Sequence, residues 1–193
     1  FGIRKNVLQF DDVMNRQREI IYSQRNKVLN GESLKDNIRK MIQDTVENAV
    51  NTFLADGEVH DDWNLIGLKD YFLGVLPLDN ELSFTTQQLT DVSKELLLKK
   101  AFEIYEAKEK QFGEKMMREI ERVVLLKNVD IKWMDHIDAM EELKRGIYLR
   151  SYGQKDPVVE YRIEGSEMFD QMTESIREDT IRLLLTVQIK NPN

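Results

Sequence analysis

The chain has 193 residues, 33% of them charged and 41% apolar, with three prolines, no cysteine and a formal net charge of −7. The lack of cysteine excludes a disulfide scaffold and thiolate zinc or iron–sulfur sites, and no apolar run approaches the roughly 20 residues of a membrane span. The remaining profile is that of a helix-rich protein, and its acidic balance argues against general nucleic-acid binding. The opening, Phe1-Gly2-Ile3-Arg4-Lys5, carries neither an initiator Met nor a signal-peptide apolar block, so the chain is expected to be a piece of something longer.

Residues 1 to about 29 form the first predicted helix. Ile3, Val7, Phe10, Met14, Gln17, Ile21, Gln24 and Val28 make one stripe at 4-3 spacing. The polar members Gln17 and Gln24 are expected to be partly exposed, or else to face a specified partner. Asn30-Gly31 ends the helix. Residues 31–113 hold nine Lys/Arg against sixteen Asp/Glu and form a separate acidic helical unit. Within it, Ser33 caps a helix to about Leu54, with Leu34, Ile38, Met41/Ile42, Thr45, Ala49 and Phe53 inward. Asp61 or Asp62 caps a short helix carrying Trp63, Ile66, Tyr71, Phe72 and Leu76, which stops before Pro77. A loop over 77–90, with a short extended stretch at Leu82–Thr85, leads to a helix over about 90–112.

Gly113 marks either a break or a kink. Beyond it the apolar residues Ile120, Val123, Leu126, Val129, Trp133, Ile137, Met140, Leu143 and Ile147 share a face through to Leu149. A helix of that length is roughly 50 Å long. Asp156 as N-cap and Pro157 at the first helical position start a return helix carrying Phe169, Met172, Ile176, Leu183 and Val187. Two long helices joined by the short loop around Gly153 must pack antiparallel, giving a helical hairpin with a defined tip. The predicted fold is therefore all-α: a long helix, a small helical insert and a long antiparallel hairpin.

A search for chemistry is mostly negative. No phosphate-cradling glycine loop is present. His60 lies in an acidic loop and His136 on the packed face of the long helix, where a local hydrogen bond is the expected role. The adjacent pairs Asp11-Asp12 and Glu141-Glu142 splay about 100° apart on a helix and form no acid–base dyad. Two features stand above this background. Lys144, Arg145, Arg150 and Lys155, with no acid between the first and last, join Tyr148 and Tyr152 in a basic, aromatic hairpin end suited to touching another macromolecule. The segment from Arg4 to Arg18, dense in charges of both signs and amides on several faces, is suited to touching several neighbours.

At these residues the chain resembles the SecA family of ATP-driven preprotein export motors. The resemblance is carried by Arg4-Lys-Asn-Val-Leu-Gln-Phe-Asp-Asp-Val-Met-Asn-Arg-Gln-Arg18 with Ile21-Tyr22, by the run from Trp133 to Met140, and by Leu143, Gly146-Ile147 and Leu149-Arg150. It continues through Tyr152-Gly153-Gln154-Lys155-Asp156-Pro157, Glu160-Tyr161 and Met168-Phe169. Residues 31–113 resemble the family only loosely. The resemblance implies a C-terminal part of the motor: residues 1–30 the end of the scaffold helix, 31–113 the helical wing, and 114–193 the two-helix finger that regulates ATP hydrolysis. It implies no catalytic, cofactor or metal residue here, with ATP and magnesium belonging to nucleotide-binding domains elsewhere in the whole protein. Tyr152 and its neighbours Arg150, Ser151, Gly153, Gln154 and Lys155 are then expected to contact the preprotein and the SecYEG channel. Arg4, Asp11, Asp12, Arg16, Gln17 and Trp133 are expected to make interdomain contacts. The implied partners are SecYEG, unfolded preprotein with its signal peptide, and the motor's own nucleotide-binding domains. An anionic membrane surface is a further expected contact, nucleic acid is not, and self-association of the piece is possible through its apolar stripes. The implied location is the bacterial cytoplasm, peripherally at the inner face of the membrane. The rivals are a stand-alone helical adaptor that binds partner helices and, against its charge, an RNA-binding hairpin.

Overall fold

The computed structural model describes residues 2–30, 34–54, 62–76, 89–150 and 156–188; for 2–7, 62–64 and 89–93 it describes the helical backbone only. Among the described residues lie six helices and no strand: α1 (Gly2–Leu29), α2 (Leu34–Phe53), α3 (Asp62–Tyr71), α4 (Leu89–Phe112), α5 (Glu114–Arg150) and α6 (Pro157–Thr186). The all-α expectation holds. The expected caps at Gly31, Ser33 and Asp61, the loop histidine His60 and the stretch Leu82–Thr85 lie outside the described residues.

The chain packs as two compact units. One comprises Phe1–Glu32 and Leu125–Arg177, the other Ser33–Val124 and Glu178–Asn193. In the first, the apolar face of α1 supplies Phe10, Val13, Ile21 and Val28. Phe10 and Val13 pack with Met140 and Ile147 of α5 and Val158 and Tyr161 of α6. Each such side chain contributes about 1.5–3 kcal/mol on burial. In the second unit, α2 buries Leu34, Ile38, Ile42, Val46 and Val50, while α4 buries Leu97, Ala101 and Tyr105. The end of α6 adds Ile181, Leu184 and Leu185 to the buried set. Arg182 Nη2 donates to the Tyr71 carbonyl oxygen at 2.7 Å, with its guanidinium 4.6 Å from the Tyr71 ring centre.

Four sequence expectations need correction or resolution. Gly113 is a break: its φ of +84° lies in the left-handed region, so α4 ends and α5 begins there. The short third helix ends at Tyr71, and Phe72 and Leu76 are buried from turns that follow it, with Gly74 at φ +78°. Val123 is 61% exposed. The buried face of α5 instead runs Met117, Glu121, Leu125, Val129, Trp133, because Glu121 has partners that let a carboxylate occupy an interior position. Leu183 is 49% exposed, since the buried residues of α6 follow steps of four (Met172, Ile176, Thr180, Leu184) rather than the heptad step from Ile176 to Leu183. Trp133 is buried, as its place on the stripe predicts.

Candidate functional site

The site of interest in the first unit is where α1 meets both arms of the hairpin. Of the two expectations for polar stripe residues, Gln24 is exposed, whereas Gln17, only 7% exposed, faces specific partners. Its Nε2 donates to the carbonyl oxygen of Gly165 on α6 at 3.1 Å. A carbonyl only accepts, so this bond fixes the orientation of the amide. Gln17 Oε1 must then accept from His136 Nε2–H on α5, at 2.6 Å. One side chain of α1 thus bridges residues 119 and 148 positions away. Burial pushes the His136 pKa down, which keeps the ring neutral. The ring lies between Trp133, 5.5 Å away between ring centres, and Phe169, 5.8 Å away edge-on.

Gly165 leaves room for the end of the Met140 side chain. A Cβ on it would lie 2.6 Å from Met140 Cε and 3.2 Å from Met140 Sδ. The glycine therefore trades some helix propensity for close contact of α6 with its neighbours. One side of the clamp is apolar and aromatic. Phe10 stacks edge-on against Tyr161 at 4.8 Å and lies tilted to Tyr148 at 5.5 Å. Burial, aided by Glu141 and Asp11, pushes the Tyr161 pKa up to about 12. An open cleft of about 190 Å³ has Arg16, Asp12 and Arg162 among its polar lining and Val13 and Phe169 among its apolar lining.

The predicted interdomain residues therefore separate. Asp11, Asp12 and Arg16 are exposed on α1, while Trp133 is buried on α5 and Gln17 joins α1 to α5 and α6; the Arg4 side chain lies outside the described set. Glu141 and Glu142 are exposed. At the hairpin end, Arg150 makes a two-pronged pair with Glu164 of α6, at 3.0 and 3.1 Å. Lys144 Nζ lies 5.7 Å from the Phe10 ring centre. Two of the four positive charges read from the sequence are thus already engaged. Asp156 Oδ1 accepts from the Val158 N–H at 3.0 Å, the cap expected for α6. Ser151, Tyr152, Gly153, Gln154 and Lys155 lie outside the described residues. Gly165 is a site residue that the sequence marks only as a glycine inside a strongly helical run.

Among the described residues no three His, Asp or Glu side chains converge as a metal site, and no helix is long and apolar enough to cross a membrane. The clamp offers neutral hydrogen bonds and close packing, which suit holding helices in register rather than bond chemistry.

Comparison with known proteins gives a consistent answer. The family model for the SecA wing and scaffold domain matches residues 1–188. The protein translocase subunit SecA of Acetivibrio thermocellus is 48% identical, covering 98% of this chain and 21% of the relative. That of Caldicellulosiruptor saccharolyticus is 51% identical over 99% of this chain and 22% of the relative, and the protein translocase subunit SecA 1 of Alkaliphilus metalliredigens is 47% identical over 97% and 21%. The chain spans about a fifth of the length of these relatives. With the family model matched along nearly its whole length, the chain belongs to the SecA family and corresponds to its wing and scaffold region.

Proposed function

We propose that these residues are a non-catalytic, motion-transmitting part of a preprotein translocase. ATP would be hydrolysed, with magnesium, by nucleotide-binding domains elsewhere in the whole protein. The scaffold helix α1 would pass the resulting movement to the α5–α6 hairpin, and the hairpin end around Tyr152 would engage the preprotein at the SecYEG channel. Signal peptide and an anionic membrane surface are further partners on this reading, at the inner face of the bacterial membrane. The wing would be residues 31–113 and the finger 114–193, with 1–30 as the scaffold segment.

The observation that carries the proposal is the clamp. Gln17 holds both arms of the hairpin to α1, so a shift of α1 moves the hairpin as one piece instead of splaying it. The relatives' name, protein translocase subunit, supports the same reading.

A chimaera tests it. The matching segment of the full-length Acetivibrio thermocellus relative is replaced by these 193 residues, and ATP-dependent preprotein transport into SecYEG vesicles is measured. Transport comparable to the parent is expected. A chimaera that folds and hydrolyses ATP yet transports nothing would contradict the assignment.

A further inference from the structure

The second unit holds a charged cluster that the proposed transport role does not use. It straddles the joint between α4 and α5. Gly113, at φ +84°, has open space where a Cβ would stand, so no neighbouring atom wedges the joint. The backbone bonds at the joint are local: Gly113 N–H to the Glu109 carbonyl at 2.9 Å, and Met117 N–H to the Gly113 carbonyl at 2.9 Å. The polar ties that cross it belong to side chains. Tyr105 Oη on α4 donates to Glu121 Oε1 on α5 at 2.9 Å. Arg118 Nη2 on α5 reaches back to Glu109 Oε2 on α4 at 2.6 Å and to Tyr105 Oη at 3.1 Å. It also lies 2.5 Å from Glu121 Oε1. Lys35 of α2 holds Glu109 from the other side at 2.8 Å.

Glu121 is fully buried, and Tyr105 is too. A buried carboxylate is a poor way to gain stability, because desolvation offsets most of the attraction; an apolar residue of like volume does as well or better. The burial of Glu121 here fits a role in fixing one geometry among alternatives. The cluster is also incompletely satisfied, since Arg118 Nε is buried without a hydrogen-bond partner. Opening the joint would return the Glu121 and Arg118 charges to water, so the closed and open forms differ by less than the number of bonds suggests.

We propose that Tyr105, Arg118 and Glu121 form a latch across a glycine hinge, so that the α4–α5 elbow is a two-position joint held in one position by this cluster. The closed position is the one described above. In the open position the Glu121 carboxylate and the Arg118 guanidinium are hydrated and the angle at Gly113 is free to change.

The chain has no cysteine, so spin labels can be placed without background. Lys99→Cys on α4 and Val123→Cys on α5 put both labels on exposed positions away from the cluster. Pulsed dipolar spectroscopy on the 193-residue chain reads their separation. Wild type should give one dominant, narrow distance. Tyr105→Phe removes only the hydroxyl, and it should raise the ratio of a second distance to the first at least about tenfold, as expected for a lost bond to a charged group. Arg118→Met should raise it further. If Arg118→Met loses helical circular dichroism, Tyr105→Phe decides alone. A single unchanged distance in helical Tyr105→Phe protein would overturn the latch.

Discussion

Replacing Gln17 with methionine removes the amide from the clamp while keeping most of the side chain's length. The two bonds it breaks are not equal. The Gly165 carbonyl lies inside α6 and keeps its intrahelical partner, so it loses only its second hydrogen bond. The His136 Nε2–H loses the partner at 2.6 Å, and the ring is too deeply buried for water to replace it freely. An unpaired buried donor costs about 1–3 kcal/mol, so the substitution should destabilise the chain by about 2 kcal/mol. Urea unfolding, followed through Trp133 fluorescence in a Trp63→Phe background, reads this as a lower midpoint with an unchanged slope. A change within about 0.5 kcal/mol, the range of ordinary surface substitutions, would refute the clamp as a stabilising node.

Further predictions follow from the same geometry. Gly165→Ala sets a helix-propensity gain of roughly 1 kcal/mol against displacement of the flexible Met140 tip, so the net change should stay within about 1 kcal/mol; its sign should depend on the residue at 140, a coupling visible in a double-mutant cycle with Met140→Val. Burial lowers the folded-state pKa of His136, so the unfolded chain binds the extra proton first. This contribution to stability is complete above the unfolded value of about 6.5 and is lost as the pH falls from there toward the depressed folded value. In this window the slope should be no steeper than about 1.4 kcal/mol per pH unit, and His136→Gln should flatten it in urea titrations. Tyr152→Ala, in the full-length chimaera, should impair preprotein transport while changing the stability of the 193-residue chain by no more than about 0.5 kcal/mol. Equal loss of folding and transport would make Tyr152 a packing residue.

Helix identity was legible because long periodic stripes dominate this sequence. α2 carries enough repeats that Leu34, Ile38, Ile42, Thr45 and Ala49 read as inward and are buried, and Asp156-Pro157 announces the start of α6. Errors arose where a tertiary partner changed the value of a residue. Gln17 reads as a blemish on an apolar stripe until His136 and Gly165 are brought beside it. Val123 reads as interior, but Tyr105 and Arg118 partner Glu121 and let it take the buried position instead. Arg150 reads as a free charge at the hairpin end because the register that brings Glu164 opposite it depends on how α5 and α6 pair. Gly113 could not be resolved from its neighbours, since a glycine tolerates either a continuous helix or a left-handed break.

The proposed function has α1 drive the hairpin through the Gln17 clamp. It is tested most directly by the amount of preprotein transported per ATP hydrolysed in the full-length chimaera carrying Gln17→Met, assayed below the temperature at which the weakened clamp unfolds. ATP turnover should persist while transport per ATP falls severalfold, because movement of the scaffold no longer reaches both arms together. An unchanged ratio, in protein shown to have lost the clamp's stability, would contradict it.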